Sequence, residues 1–296
     1  MIQLSTRRDF INQLKSAIGK REGFSAGKLG FSEQALLSYC LITSDAPSIQ
    51  KRAFLAALKH HCDYITGVFP STPEFLPYFT SWYLTQIQQA NILGLMGAKR
   101  EEKIITNLNI HSQFTHYQTM EPDRSIPEIT NNCYLPLFEN KKILLISPYA
   151  KFIQSRAQKE VYENAWKIIG KSWFNPANVM SLEIPYSYFS AKQTHEKFGD
   201  SITLYKSICD QINCYEYDVA LIGAGALGIP IANHIKHQGK VGISLGGHLQ
   251  VTFGVAGARW RRDPEWRAYL NETWVDVPKI YHPFSKESLT DHGAYW

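Results

Sequence analysis

Residues 217–247 read YDVALIGAGALGIPIANHIKHQGKVGISLGG, and this stretch decides the fold. Val219 to Ile222 form an apolar run of strand length. Gly223, Gly225 and Gly228 then complete G-x-G-x-x-G, the spacing that lets backbone approach a diphosphate at a helix N-terminus. Pro230 falls in the first helical turn, where its missing N–H is no loss. Ile231 and Ile235 give an apolar stripe, Lys236 and His237 suit the negative end of the helix dipole, and Gly239 stops the helix. A second strand follows and ends in Ser244, Leu245, Gly246 and Gly247.

A dinucleotide fingerprint of this kind carries an acidic residue at the end of the second strand, to hold the ribose hydroxyls. From Ile229 through Arg262 there is neither Asp nor Glu, while Lys236, Lys240, Arg259, Arg261 and Arg262 fall in or at the end of that stretch. The segment therefore points to a phosphorylated ligand rather than a bare ribose diol, and NAD is not expected. A purely structural glycine turn is the plain alternative.

Working outward, strands and helices alternate. The spacing predicts a helix over 8–20, a strand over 24–29, helices over 33–40 and 48–60, and a strand-like piece over 64–69. A helix near 79–95 and a strand-like 103–107 follow, then an aperiodic, proline-bearing stretch over 111–140 that reads as a loop or boundary. Beyond it come a strand over 143–146, a helix over 153–169, a strand over 179–184 and a helix over 195–214. Such alternation predicts an α/β protein with a Rossmann-like parallel sheet covered by helices on both faces. We read residues 1–296 as one α/β domain with an N-terminal half, 1–135, and a C-terminal half, 140–296, that carries the glycine-rich unit. Ligands in such sheets lie outside the carboxyl ends of the strands, which puts Ser147, Pro148, Tyr149, Glu183, the glycine turn and Gly246-Gly247 on one rim.

Composition sets the outer limits. The 296 residues are 44% hydrophobic, enough for a continuous core, and no apolar run approaches the ~18 residues of a membrane span. Five cysteines without a C-x-x-C pair indicate neither a disulfide framework nor a zinc site, so a reducing cytoplasm is expected. The net charge of +5 is dispersed, which argues against nucleic acid as partner and for a local anion site.

The stretch GAGALGIPIANHIKHQGKVGISLGGHLQVTFGVAGARW, with NETWV and GAYW beyond it, resembles a bacterial family found with surface-polysaccharide genes and assigned to the GT-D type of glycosyltransferase fold. Lys236 and Lys240, Gly246 and Gly247, Gln250, and Arg259 with Trp260 carry the resemblance. In the N-terminal half, Lys28, Leu29, Gly30, Phe31, Ser32 and Glu33 occupy the place of that type's R-F-G-D-G-E motif, whose D-x-E acids hold a divalent metal and a sugar nucleotide. Phe31 stands where the first acid belongs. Lys197 to Asp200, KFGD, repeats part of the motif but precedes a helix and lacks the following Glu.

The resemblance implies transfer of a sugar from a nucleotide-sugar donor to a cell-surface glycan or a lipid-linked precursor, with Mn2+ or Mg2+ as the cofactor. Such an enzyme must stabilise a departing phosphate oxygen while an acceptor hydroxyl loses its proton. The candidate phosphate and sugar contacts are Lys28, Gly30, Tyr149, Gly223, Gly225, Gly228, Gly246, Gly247, Gln250 and Arg259. The candidate bases are Glu33 and His248, and Glu33 is also the one metal ligand left by Phe31. A helix-terminal Glu33 that merely favours the dipole and a structural His248 are the plain alternatives. Trp260, Trp274 and Trp296 read as packing residues. The expected setting is the cytoplasm, with peripheral membrane contact through an acceptor lipid and no membrane span. Two other readings stay open: an NAD(P)-dependent Rossmann oxidoreductase and a non-catalytic sugar-nucleotide-binding protein.

Overall fold

In a computed structural model, which describes residues 2–42, 48–122, 133–282 and 293–296, eight parallel strands form one sheet. In chain order they are β1 (Leu4–Ser5), β2 (Phe24–Leu29), β3 (Ile92–Leu95), β4 (Gln113–His116), β5 (Lys142–Ser147), β6 (Asn178–Glu183), β7 (Val219–Ile222) and β8 (Val241–Ser244). Their spatial order is β1-β4-β3-β2-β8-β7-β5-β6. Four strands from each half of the chain therefore meet at the β2–β8 pair, where Phe24 stands opposite Val241 and Gly27 opposite Ser244.

Both faces of the sheet are apolar, as a doubly covered parallel sheet requires. Along β5, Leu144 and Ile146 join one core cluster and Ile143 and Leu145 the other. The first face is covered by α2 (Phe31–Tyr39), α3 (Ser48–His61), α4 (Phe75–Ile87), α5 (Lys99–Asn107), α9 (Ser201–Ile212) and α10 (Gly228–His237). The second is covered by α1 (Arg7–Lys20), α6 (Ala150–Arg156), α7 (Lys159–Ala165), α11 (His248–Thr252) and the tryptophans 166, 260, 266 and 274. A short helix, α8 (Lys192–Phe198), precedes α9, and α12 (Ala258–Arg262) and α13 (Pro264–Arg267) follow α11. A separate two-residue pair joins β9 (Val255–Ala256) to β10 (Val275–Asp276).

The glycine-rich unit folds as its sequence predicts, from β7 through the turn and α10 to β8. Gly228 allows the helix to lie on the sheet, because a Cβ there would strike Ser244 Oγ. Gly225, at φ +50°, lies where a Cβ would come within 2.7 Å of the Thr66 carbonyl oxygen.

Several elements differ from expectation, each for a local reason. The 64–69 segment is not a strand: α3 continues into a π-helical turn, Cys62–Thr66, that Gly67 closes at φ +71°. The predicted helix over 79–95 ends at Ile87, and Ile92–Leu95 is β3, a four-residue apolar run that periodicity cannot distinguish from buried helix. Lys103–Asn107 is the end of α5 rather than a strand, since Glu101 accepts from the amides of Met96 and Ala98 at 2.6 and 2.9 Å and fixes the helix start. The helix over 153–169 is divided into α6, α7 and a 3-10 turn at Lys167–Ile169. The helix over 195–214 breaks at Gly199, and Asp200 Oδ1 starts α9 by accepting from Ile202 and Thr203 at 2.8 Å each. Gly30 is the N-cap residue of α2, without a side-chain cap, and the helix starts at Phe31 rather than Glu33. The 111–140 stretch contains β4 and 3-10 turns at Tyr117–Met120 and Leu135–Phe138, and its residues 123–132 lie outside the described set.

Candidate functional site

At the carboxyl edge of the sheet the chain leaves neighbouring strands in opposite directions. After β2 and β7 it passes to α2 and α10 on the first face, and after β5 and β8 to α6 and α11 on the second. Divergence of this kind opens a crevice at the strand ends. Here it is a cleft of about 530 Å³.

The cleft gathers Lys28, Gly30, Glu33, Tyr149, Gly223, Gly225, Gly246, Gly247, His248 and Arg259. Gly228 and Gln250 do not line it. Gly228 is occupied with helix–sheet packing. Gln250 lies behind the wall, 1% exposed, where its Oε1 accepts from Tyr149 Oη at 2.5 Å and its Nε2 donates to Ala256 O at 2.6 Å and Tyr295 O at 3.2 Å. It ties Tyr149 to the C-terminal Tyr295-Trp296 segment, whose two side chains also face the cleft. Burial, followed by the neighbouring Tyr186 and Tyr295, raises the Tyr149 phenol well above its ordinary value against the opposing pull of Arg259, so it serves as a neutral donor.

Much of the glycine turn is committed to the fold. The Gly223 amide donates to Ile146 O at 2.8 Å, Leu227 to Ala224 O at 3.1 Å and Gly228 to Gly225 O. What the turn offers a ligand falls to Ala224 and Gly225, which line the cleft.

The basic residues expected around a phosphate disperse. Lys236 and Lys240 stand at the C-terminal end of α10, on the opposite edge of the sheet from the cleft. Lys236 Nζ donates to Gln89 O at 2.7 Å, and Lys240 Nζ sits 3.9 Å from the centre of the Tyr217 ring. Arg261 pairs with Asp276 at 2.7 Å. Arg259 remains at the cleft, its guanidinium 5.1 Å from the Tyr295 ring centre. Glu183, on the expected rim, pairs with Lys151 at 3.3 Å and is not a cleft residue.

Glu121 is a cleft residue that the sequence does not single out. It is 4% exposed, accepts from Lys28 Nζ at 2.8 Å and lies 3.7 Å from His248 Nδ1, so the two halves of the chain meet in a Lys28–Glu121–His248 cluster on the cleft wall. Lys28, a candidate phosphate or sugar contact, holds its ammonium against Glu121. Glu121 falls in a proline-bearing stretch without a period, and a lone acid there carries no sequence signal.

Buried polar atoms line the cleft from both faces of the sheet. Tyr83 Oη, His61 Nδ1, Tyr186 Oη and Trp296 Nε1 are buried with no hydrogen-bond partner among the described residues, and all four side chains line the cleft. Each such atom costs on the order of 1–3 kcal/mol unless a ligand or water meets it. Burial raises the Tyr83 phenol well above its ordinary value, with Glu33 adding to the effect, and burial lowers His61, helped by His60 and Arg100. Tyr83 and His61 therefore present neutral hydrogen-bonding groups to the cleft, Tyr83 within the field of the Glu33 carboxylate.

Glu33 stands over Gly30, where a Cβ would come within 2.5 Å of its Oε2. Phe31 is 54% exposed at the cleft mouth, and the Arg100 guanidinium lies 5.9 Å from its ring centre. Among the described residues no group of three or more His, Cys, Asp or Glu side chains converges on a metal position. Glu33 would give a divalent ion a single carboxylate, and Glu121 is engaged with Lys28, so these residues do not fit a protein-held metal centre.

No family model, curated protein or solved structure matches this chain. Among the described residues no helix is long and apolar enough to cross a membrane.

Proposed function

We propose that the protein is a glycosyltransferase of GT-D type, which moves a sugar from a nucleotide-sugar donor to a cell-surface glycan or its lipid-linked precursor. The observation that carries this reading is the Lys28–Glu121–His248 cluster facing the same cleft as the glycine turn and Arg259. A proton acceptor and an anion-binding rim are the two things that transfer from a nucleoside diphosphate requires.

In this reading the acceptor hydroxyl attacks the anomeric carbon as the bond to the diphosphate oxygen breaks. Glu121 Oε1, 3.7 Å from Nδ1 of His248, stabilises the imidazolium as the hydroxyl proton passes to the ring. Arg259 and the amides of Ala224 and Gly225 receive the charge that develops on the departing diphosphate. Tyr83, His61 and Glu33 meet the hydroxyls of the donor. Glu33, an expected base, takes a binding role here, because the His248–Glu121 pair supplies the more complete proton-accepting unit.

A thermal-shift panel of UDP-, GDP- and dTDP-sugars, run with and without Mn2+ and beside NADPH, tests the reading. Stabilisation by a nucleotide sugar supports it. A response to NADPH alone would move the protein to the oxidoreductases.

A further inference from the structure

A second cavity of about 510 Å³ lies behind the first. Pro148, Ile184, Pro185 and Tyr186 line both, so the two are separated by one layer of side chains. The far side is built by Ser190, by Gln193 and Thr194 of the first turn of α8, and by Tyr281.

Two observations define what this cavity would take. Ser190 Oγ and Tyr186 Oη are buried and have no hydrogen-bond partner among the described residues, although both side chains line it. The surfaces around them are apolar: Ile184, Pro185 and the Tyr281 ring. An acyl chain would satisfy the apolar walls and leave both hydroxyls unmet, at the desolvation penalty that buried unpaired groups carry. A small anion would leave the apolar walls unmet, and Lys192 in the lining is exposed to solvent rather than buried. A pyranose ring presents C–H faces and hydroxyl edges together, and its volume class suits a site of this size.

We infer that the second cavity is a binding site for a neutral saccharide unit of the acceptor, set back from the unit whose hydroxyl reacts in the first cleft. This inference rests on the proposed glycosyltransferase reading for the word acceptor and on the cavity itself for the ligand class. Tyr186 belongs to both spaces, so a sugar in the second cavity lies one side chain away from the donor. Specificity for the acceptor would then reside in Ser190 and the first turn of α8, apart from the groups that hold the nucleotide.

Saturation-transfer NMR on the full chain, with the methyl glycosides of glucose, galactose, mannose and N-acetylglucosamine as probes, tests this inference. The inference predicts transfer to the ring protons of at least one glycoside, retained when UDP is added in excess. It further predicts loss of about ten-fold or more in Gln193→Trp, which fills the cavity from an exposed position, and in Ser190→Val, with melting temperature and UDP response unchanged in Gln193→Trp. Absence of transfer to every probe, displacement by UDP, or full binding by folded Gln193→Trp overturns it. UDP or GDP stabilisation without glycoside binding sinks this inference and leaves the proposed function standing. Glycoside binding in a chain that responds to no nucleotide sugar removes the acceptor role along with the proposed function.

Discussion

Lys28 Nζ and Glu121 Oε1 are 2.8 Å apart on the wall of the cleft, and the carboxylate they share with His248 is 4% exposed. Lys28 is the penultimate residue of the central strand β2, whereas Glu121 lies in the connection beyond β4. A pair that draws on two separate elements positions His248 more rigidly than a surface acid could.

Glu121→Gln keeps the shape and removes the charge. We expect donor turnover to fall by about 10²-fold or more, in the range that loss of general base assistance gives. Stability should also drop, by about 1–3 kcal/mol, because the partly buried Lys28 loses its counter-charge. The double variant Glu121→Gln/Lys28→Met should recover much of the stability and none of the activity. Urea titrations beside a hydrolysis assay separate the two effects.

Gly228 and Ser244 make a complementary test of the fold. A Cβ at position 228 would strike Ser244 Oγ, so Gly228→Ala should destabilise by roughly 1–3 kcal/mol as an overpacking change. Ser244→Gly in the same chain removes the obstacle and should restore most of the loss. A double-mutant cycle with no coupling would show that the helix reaches the sheet by other contacts.

Gln250 acts through the fold rather than on the ligand. Its side chain accepts from Tyr149 and donates to the Ala256 and Tyr295 carbonyls in a buried setting. Tyr149→Phe leaves Gln250 Oε1 without that donor, and about 1–3 kcal/mol of stability should be lost. Gln250→Leu should destabilise comparably and loosen the C-terminal segment, read as increased quenching of Trp296 fluorescence. A Gln250→Leu protein of unchanged stability that has lost nucleotide binding would restore Gln250 to the ligand contacts.

The pH dependence of stability has a defined sign. Burial, followed by His237, holds the His234 pKa below the ordinary 6.5, and His61 is lowered in the same direction from 6.5. Near and below that value the unfolded chain binds protons that the folded side chains refuse, so stability rises with pH across the window and falls as pH drops through it. His234→Asn should therefore lose less stability than wild type between about pH 7.5 and 5.5. Denaturation midpoints at the two pH values give the comparison, and parallel losses in both proteins would contradict the assignment.

The parts of the fold that could be read from the chain are those whose signals are local and mutually consistent. The β7–α10 unit carries a strand run, three glycines and a helix stop within one window, and it folds as read. Lys236 and Lys240 show the limit of the same reasoning. Nearness in sequence to a glycine turn says nothing about which edge of the sheet a helix end reaches, and these lysines arrive at the far one. The Ile92–Leu95 strand and the α5 end were misread because short apolar or β-branched runs satisfy either period. Glu121, Tyr83 and His61 became visible only through tertiary contact, since a single polar residue acquires meaning from what buries it. Gly223 and Gly225 line the cleft, yet part of that turn serves the sheet and the packing of Thr66.

Slow hydrolysis of nucleotide sugars, with water in place of the acceptor, tests the central claim most directly. Wild type, Glu121→Gln and His248→Asn would be compared for release of nucleoside diphosphate and, separately, for donor binding. The account predicts that at least one donor is hydrolysed by wild type, and that both variants bind it while hydrolysing it about 10²-fold more slowly or less. Hydrolysis that persists unchanged in both variants, or a cleft that binds no nucleotide sugar at all, would contradict it.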